Sequence, residues 1–168
     1  MSVAKMATYS MQRLDAALLW LCLTGVGISY YAYVVETNKE KDHDYQPFCD
    51  ISEHVSCTKA FMSDYGKGFG LIPKNSPLHL PNSIFGIIFY TVVASLSLFN
   101  NYWNTVLMLV ASIMSNLFSL YLARVLYLLR DVCVVCVATY VLNALILVLT
   151  VKKLREIKAA PSKKRKTK

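Results

Sequence analysis

The sequence predicts an all-α membrane protein: a four-transmembrane-helix bundle with a long exoplasmic loop that carries a short helix. Three observations predict it. Of the 168 residues, 55% are hydrophobic, and the mean hydropathy is +0.41. The apolar residues gather into long blocks at 14–35, 83–99 and 105–151, the last interrupted only by Arg130-Asp131. The basic residues segregate: nine Lys/Arg against one acid from Lys152 onward, but five Lys against seven Asp/Glu across 36–80.

Each element follows from bilayer dimensions. A hydrocarbon core about 30 Å thick takes roughly 20 helical residues at about 1.5 Å each. The first block therefore makes one helix at about 14–35. It is longer than the apolar part of a signal peptide, and no clear small-x-small cleavage site follows it, so it reads as a retained span. The second block gives a helix at about 82–99. The third is about twice the needed length, which predicts two helices, at about 105–128 and 132–151, joined by a turn at 129–132. The whole chain, 1–168, reads as one membrane domain with no internal repeat.

Orientation follows from charge. Positive residues concentrate on the cytosolic side of membrane proteins, so the basic tail at 152–168 belongs there. Lys5 and Arg13 place the N-terminus on the same side, and an even number of spans is then required. The tail "KKRKTK" reads as an orientation and sorting signal in contact with anionic lipid, not as a nucleic-acid site. The loop at 36–81 and the Arg130-Asp131 turn then share the opposite face.

That topology gathers four of the five cysteines at one membrane surface, where disulfides are allowed. Cys49 and Cys57 lie in the loop; Cys133 and Cys136 open the last helix in "DVCVVCVATY". Cys22, inside the first span, reads as a small buried apolar residue. Three residues apart on a helix, Cys133 and Cys136 share a face with Cα atoms roughly 5 Å apart, within disulfide range. A thiolate near a helix N-terminus is also stabilised by the orphan N–H groups there. Packing cysteines and a metal site built from Cys49, Cys57, His54 and the C-x-x-C pair are the competing readings, although C-x7-C is an unusual ligand spacing.

The loop holds its own helix signals in "DISEHVSCTKAFMSDYG": Asp50 as cap, Glu53 at the capping-box position, and Gly66 as stop. Cys57, Phe61 and Tyr65 then form one stripe. A helix starting at Asp50 would put Cys57 about 12 Å of rise beyond Cys49, too far for a disulfide. Either the helix starts later or, as the exchange of partners in a relay favours, the segment rearranges.

Polar and aromatic residues lie level with the pair. Tyr140 sits near the Cys133 face, and "LPNSIFGIIFY" places Asn82, Phe85 and Phe89 on one stripe beside Gly86. An amide, a phenol and two rings beside a dithiol suit a flat aromatic diketone. Asn82 also serves as a helix cap after Pro81. "GKGFG" lacks the order of a phosphate-binding loop and reads as tight turns over a pocket mouth. His43, His54 and His79 show no ligand spacing. Asn116 and Asn143, both mid-span, are expected to hydrogen-bond between helices.

These pieces in this order resemble the vitamin K epoxide reductase family of animals: "FCD" with Cys49, Cys57 beyond it, "GKGFGL" at 66–71, "NSIFG" at 82–86, and "CVVC" followed by "TY" at 139–140. The resemblance runs from the first helix through Lys152. It implies a four-helix enzyme of the endoplasmic reticulum membrane, with both termini cytosolic and the active site luminal under a short loop helix. Lys164 and Lys166 have the spacing of a dibasic retrieval signal. The implied reaction reduces vitamin K epoxide to the quinone and on to the hydroquinone, supporting protein gamma-carboxylation or antioxidant quinone recycling.

The resemblance also implies roles. Cys133 and Cys136 form the catalytic pair, with Cys136 the attacking thiolate. Asn82 and Tyr140 hydrogen-bond substrate oxygens, while Phe85, Phe89 and Phe61 contact the naphthoquinone. Cys57 exchanges with Cys133, and Cys49 takes electrons from a thioredoxin-like luminal oxidoreductase. No tightly bound cofactor and no metal are expected; vitamin K is the substrate, lipid the surroundings, and nucleic acid no partner. Two residues depart from the pattern: Tyr65 stands where vertebrate members have tryptophan, and Arg124 where an uncharged residue is expected. The alternatives are a quinone-dependent thiol oxidase, running the same relay backwards, and a non-catalytic four-span scaffold with a structural loop disulfide.

Overall fold

The computed structural model describes residues 3–52 and 54–166. It is all-helical, and no strand forms among these residues. In chain order come α1 (Val3–Lys41), α2 (Cys57–Met62), a tight turn at Gly68–Gly70, α3 (Asn82–Ser97), α4 (Tyr102–Leu129) and α5 (Val134–Lys166). α1, α4 and α5 are long and apolar enough to cross a bilayer. α3 is equally apolar, but its 16 residues span about 24 Å. It is shorter than the expected 82–99 because Leu98 already closes the helix at its C-cap.

The helices outrun the hydropathy pattern at their other ends. α1 starts before residue 14 and continues to Lys41, and α5 passes Val151 without a break. Hydropathy marks the lipid-facing part of a helix, whereas backbone hydrogen bonding continues through polar helix formers such as the Glu40-Lys41 and Lys152–Arg155 stretches. The lipid-facing side is clear on α5, where Val134, Val137, Val141, Leu145 and Val148 are all exposed in a helical stripe.

α1 packs along α3 and α5, and α4 along α5. Leu18, Cys22, Tyr90, Val93, Met108 and Ile146 form the core where they meet. Cys22 is there the small apolar residue expected of it. Gly25 lets α3 approach: a Cβ at this position would lie 2.6 Å from the Tyr90 ring. Asn116 and Asn143 bridge helices as expected. Asn116 donates to the Asn143 carbonyl (3.0 Å), Asn143 to Ser119 Oγ (2.9 Å), and Tyr90 to Asn143 Oδ1 (3.0 Å). These bonds tie α3, α4 and α5 together.

The end of the bundle far from the loop is tied by a buried charge. Lys153, fully buried, pairs with Asp15 at 2.7 Å and donates to the Ser97 carbonyl at 2.6 Å. Lys153 therefore belongs to the bundle and not to a solvated tail. The side chains of Lys5, Lys164 and Lys166 lie outside the described residues.

At the other end the loop folds over the helix mouths. α4 stops at Arg130, whose left-handed backbone (φ 54°, ψ 34°) makes the turn expected at 129–132. Backbone bonds fasten the loop to this turn and to α3. Ser56 donates to the Val132 carbonyl (3.1 Å), Val132 to that of His54 (2.9 Å), Gly68 to that of Leu80 (2.9 Å), and Asn82 to that of Gly66 (3.0 Å).

Candidate active site

The loop helix begins at Cys57, not at Asp50. Ser56 is its N-cap, accepting the Lys59 N–H. Asp50 is still used as a cap, but from a distance: its carboxylate accepts the Thr58 N–H (3.0 Å), the Thr58 hydroxyl and the Ser56 hydroxyl (2.9 Å). Burial would raise the Asp50 carboxyl, yet these bonds outweigh it and hold the group below its ordinary value. The later start resolves the distance problem. Cys49 and Cys57 have Cα atoms 5.7 Å apart and form a disulfide. Glu53, the expected capping-box residue, lies outside the described residues.

Cys133 caps α5. Its carbonyl accepts the first helical bond, from Val137 (3.0 Å), and its sulfur accepts the N–H of Cys136 at 3.3 Å. The Cys136 thiol and the N–H groups of Cys136 and Val135 together hold the Cys133 thiol below its ordinary value, against the cost of burial. Cys133 and Cys136 are both free thiols.

The two sulfurs face different surroundings. Cys133 is fully buried in a cluster with Cys49, Cys57 and Ala60. Cys136, one turn on, lines a cavity of about 430 Å³ between α1, α3, α4 and α5. Four cysteines thus converge as expected, with one of them opening into a space of small-molecule size.

The cavity also contains Asn82, Tyr140, Phe85, Phe89 and Phe61 in its lining, so every residue expected to contact substrate borders one space. The Tyr140 hydroxyl is buried without a hydrogen-bond partner among the described residues. Asn82 is partly engaged: Oδ1 accepts the Phe69 N–H (2.8 Å), and Nδ2 donates to the Tyr65 carbonyl (2.6 Å). The second Nδ2 hydrogen is not used by either bond. Asn82 does not act as side-chain N-cap of its own helix; Pro81 holds the N-cap position.

Phe69, Phe118 and Glu36 escaped the sequence reading. Phe69 has a left-handed backbone (φ 56°) between Gly68 and Gly70, both also at positive φ. This turn drives its ring between α3 and α4, against Phe118 (4.7 Å) and Phe85 (5.3 Å). "GKGFG" was the available signal: its glycines permit the turn that aims the phenylalanine. Glu36 is 2% exposed and lines the same cavity. A charge at the end of an apolar block reads as the start of a loop, and periodicity alone carries no sign of a buried acid. Tyr65 borders the cavity and packs against Gly70, while Arg124 is exposed.

Cys49, Asp50 and Cys57 also place ligand-type atoms within 4.8 Å of one another. The two sulfurs are bonded to each other and the carboxylate is occupied by Thr58 and Ser56, which leaves this group committed to the loop. His43 and His54 are exposed, and His79 meets the Ile72 carbonyl at 3.1 Å.

Comparison with known proteins agrees with this geometry. Residues 16–151 match the vitamin K epoxide reductase family. The chain is similar to vitamin K epoxide reductase complex subunit 1 of Rattus norvegicus, at 39% identity over 145 residues, covering 83% of this chain and 90% of the rat protein. It is 37% identical over the same length and coverage to the protein of that name from Mus musculus. A dithiol opening into an apolar cavity, beside a second cysteine pair, is thus seen in a chain that belongs to the vitamin K epoxide reductase family, a family of oxidoreductases.

Proposed function

We propose that this protein is a thiol-dependent reductase of vitamin K epoxide and vitamin K quinone. The observation that carries the reading is the division between the two sulfurs of the C-x-x-C pair: Cys136 borders the cavity, while Cys133 is buried against Cys49 and Cys57. Substrate chemistry falls to Cys136 and electron supply to Cys133.

The cycle balances as thiol–disulfide exchange coupled to a two-electron reduction. A luminal thioredoxin-like dithiol reduces Cys49–Cys57, and Cys57 passes the electrons on by exchange with Cys133. The Cys136 thiolate adds to the epoxide or quinone. Cys133 then attacks the Cys136 sulfur, forming the Cys133–Cys136 disulfide and leaving two electrons on the substrate. The epoxide oxygen departs as water after taking two protons; the quinone instead becomes hydroquinone. Tyr140 and the spare Asn82 N–H stabilise charge on the substrate oxygens, and Phe61, Phe85 and Phe89 hold the ring system.

In this reading all four long apolar segments cross the endoplasmic reticulum membrane, α3 included, with both termini cytosolic and α2 capping the luminal site. Vitamin K enters as substrate, and no tightly bound cofactor is required. The test is turnover in microsomes. Cys136→Ser should abolish reduction of epoxide and quinone even with dithiothreitol, whereas Cys49→Ser should retain dithiothreitol-driven activity and lose drive by a luminal dithiol protein. Equal loss in both variants rules out the relay.

A further inference from the structure

The cavity holds an acid that the steps above do not use. Glu36 is 2% exposed, and its Oε1 has no hydrogen-bond partner among the described residues. Among the described residues only Ser83, on the first turn of α3, hydrogen-bonds the carboxyl, donating to Oε2 at 3.4 Å. A buried carboxyl with a free oxygen on a ligand-sized cavity is expensive to keep. The neutral acid is the form that such a site holds at least cost.

One turn further along α1, Glu40 is exposed and ion-paired with Lys67 of the loop. Both border a second, smaller pocket of about 260 Å³ that also takes in Asp64, Lys74 and His79. Phe61 and Ser63 line this pocket and the main cavity alike. Glu40 and Lys67 thus stand at the surface one helical turn from Glu36, in a pocket that shares part of its wall with the main cavity.

We infer that Glu36 is a further catalytic residue, the acid that protonates a substrate oxygen, resupplied with protons from the surface through the Glu40–Lys67 pair. This rests on the quinone-reductase reading. In each turnover two S–H bonds are lost, one S–S bond forms, and the substrate gains two electrons and two protons. One of those protons comes from Glu36: its O–H bond breaks as a substrate O–H bond forms. The carboxylate then regains a proton from solvent, balanced by a thiol proton released to solvent. Glu36 must be protonated to act, so kcat falls as pH rises through its pKa. The groups facing it are Glu40 from α1, Lys67 from the loop and the Ser83 hydroxyl from α3.

The experiment uses the full-length protein in lipid nanodiscs, with dithiothreitol and either vitamin K quinone or its epoxide. Glu36→Gln, which keeps the shape and hydrogen bonding, should lower kcat about 10²-fold with KM within about threefold of wild type. It should also remove the alkaline fall in kcat and leave the acid limb, set by the thiols, in place. Glu40→Gln should slow steady-state turnover while the first turnover, read as Cys133–Cys136 disulfide formation, keeps its wild-type rate; this variant serves if Glu36→Gln folds poorly. A Glu36→Gln enzyme with wild-type kcat and pH profile, or one changed only in KM, overturns the inference while leaving the reductase reading intact. Wild-type protein that reduces neither substrate overturns both.

Discussion

Ser56 donates its backbone N–H to the carbonyl of Val132 at 3.1 Å, which pins the residue before Cys57 to the residue before Cys133. Val132 returns a bond to His54 at 2.9 Å. Two sulfurs from distant parts of the chain are thus brought into one cluster by main-chain geometry, independent of side-chain identity. Val132→Pro removes one of the two bonds. A net hydrogen bond contributes about 1 kcal/mol, so electron transfer from the loop pair to Cys133 should slow about fivefold to tenfold. Direct reduction of Cys133–Cys136 by dithiothreitol should be unchanged. Rapid-quench alkylation of the four cysteines reads both rates.

Asp50 sets the acid tolerance of the loop. Its pKa is lowered from the ordinary 3.8, so the carboxylate's contribution is fully present above that value and is lost as pH falls through the lower, folded-state pKa. Hydrogen exchange at the Thr58 N–H should stay protected down to about pH 4 and then rise. Asp50→Asn should show weaker protection at neutral pH and little further change in acid.

Tyr140 presents an unpartnered hydroxyl to the cavity. Tyr140→Phe removes the donor while keeping the ring, and should cost about 10²-fold in kcat. Stability should not drop, because no internal hydrogen bond is lost. A fall in stability with kcat intact would assign the hydroxyl to the fold.

Lys153→Met strands Asp15 without its cation. Breaking a buried pair by removing one partner costs about 3 kcal/mol or more, which should appear as an earlier unfolding midpoint in a detergent titration. The double variant Lys153→Met with Asp15→Asn should recover part of the loss. Activity per folded molecule should be retained, since the pair lies at the end of the bundle away from the cysteines.

The bundle and the cysteine cluster were legible because their signals are local or topological. Apolar block length predicts the long helices α1, α4 and α5, and the order of loop and helices predicts that Cys49, Cys57, Cys133 and Cys136 gather at one end of the bundle. Tyr140, Asn82, Phe85 and Phe89 followed from helical spacing at a common depth. What stayed hidden depends on contacts across the chain. Asp50 has the chemistry of an N-cap, but it caps Thr58 eight residues on, through a fold in the loop that no local pattern encodes. Phe69 reaches Phe118 only because a left-handed turn aims it. Lys153 sits in a basic run and differs from Lys152 only in which side of α5 it occupies.

The turn of α5 between Cys133 and Cys136 works as a partition. Cys133 packs with the loop cysteines and takes no part in the cavity lining, whereas Cys136 borders the cavity and neither loop cysteine does. In the proposed relay, electrons pass this wall by disulfide exchange. Under that relay a quinone in the cavity would be kept from oxidising the loop pair directly, and throughput would be limited to what a single pair of sulfurs can carry.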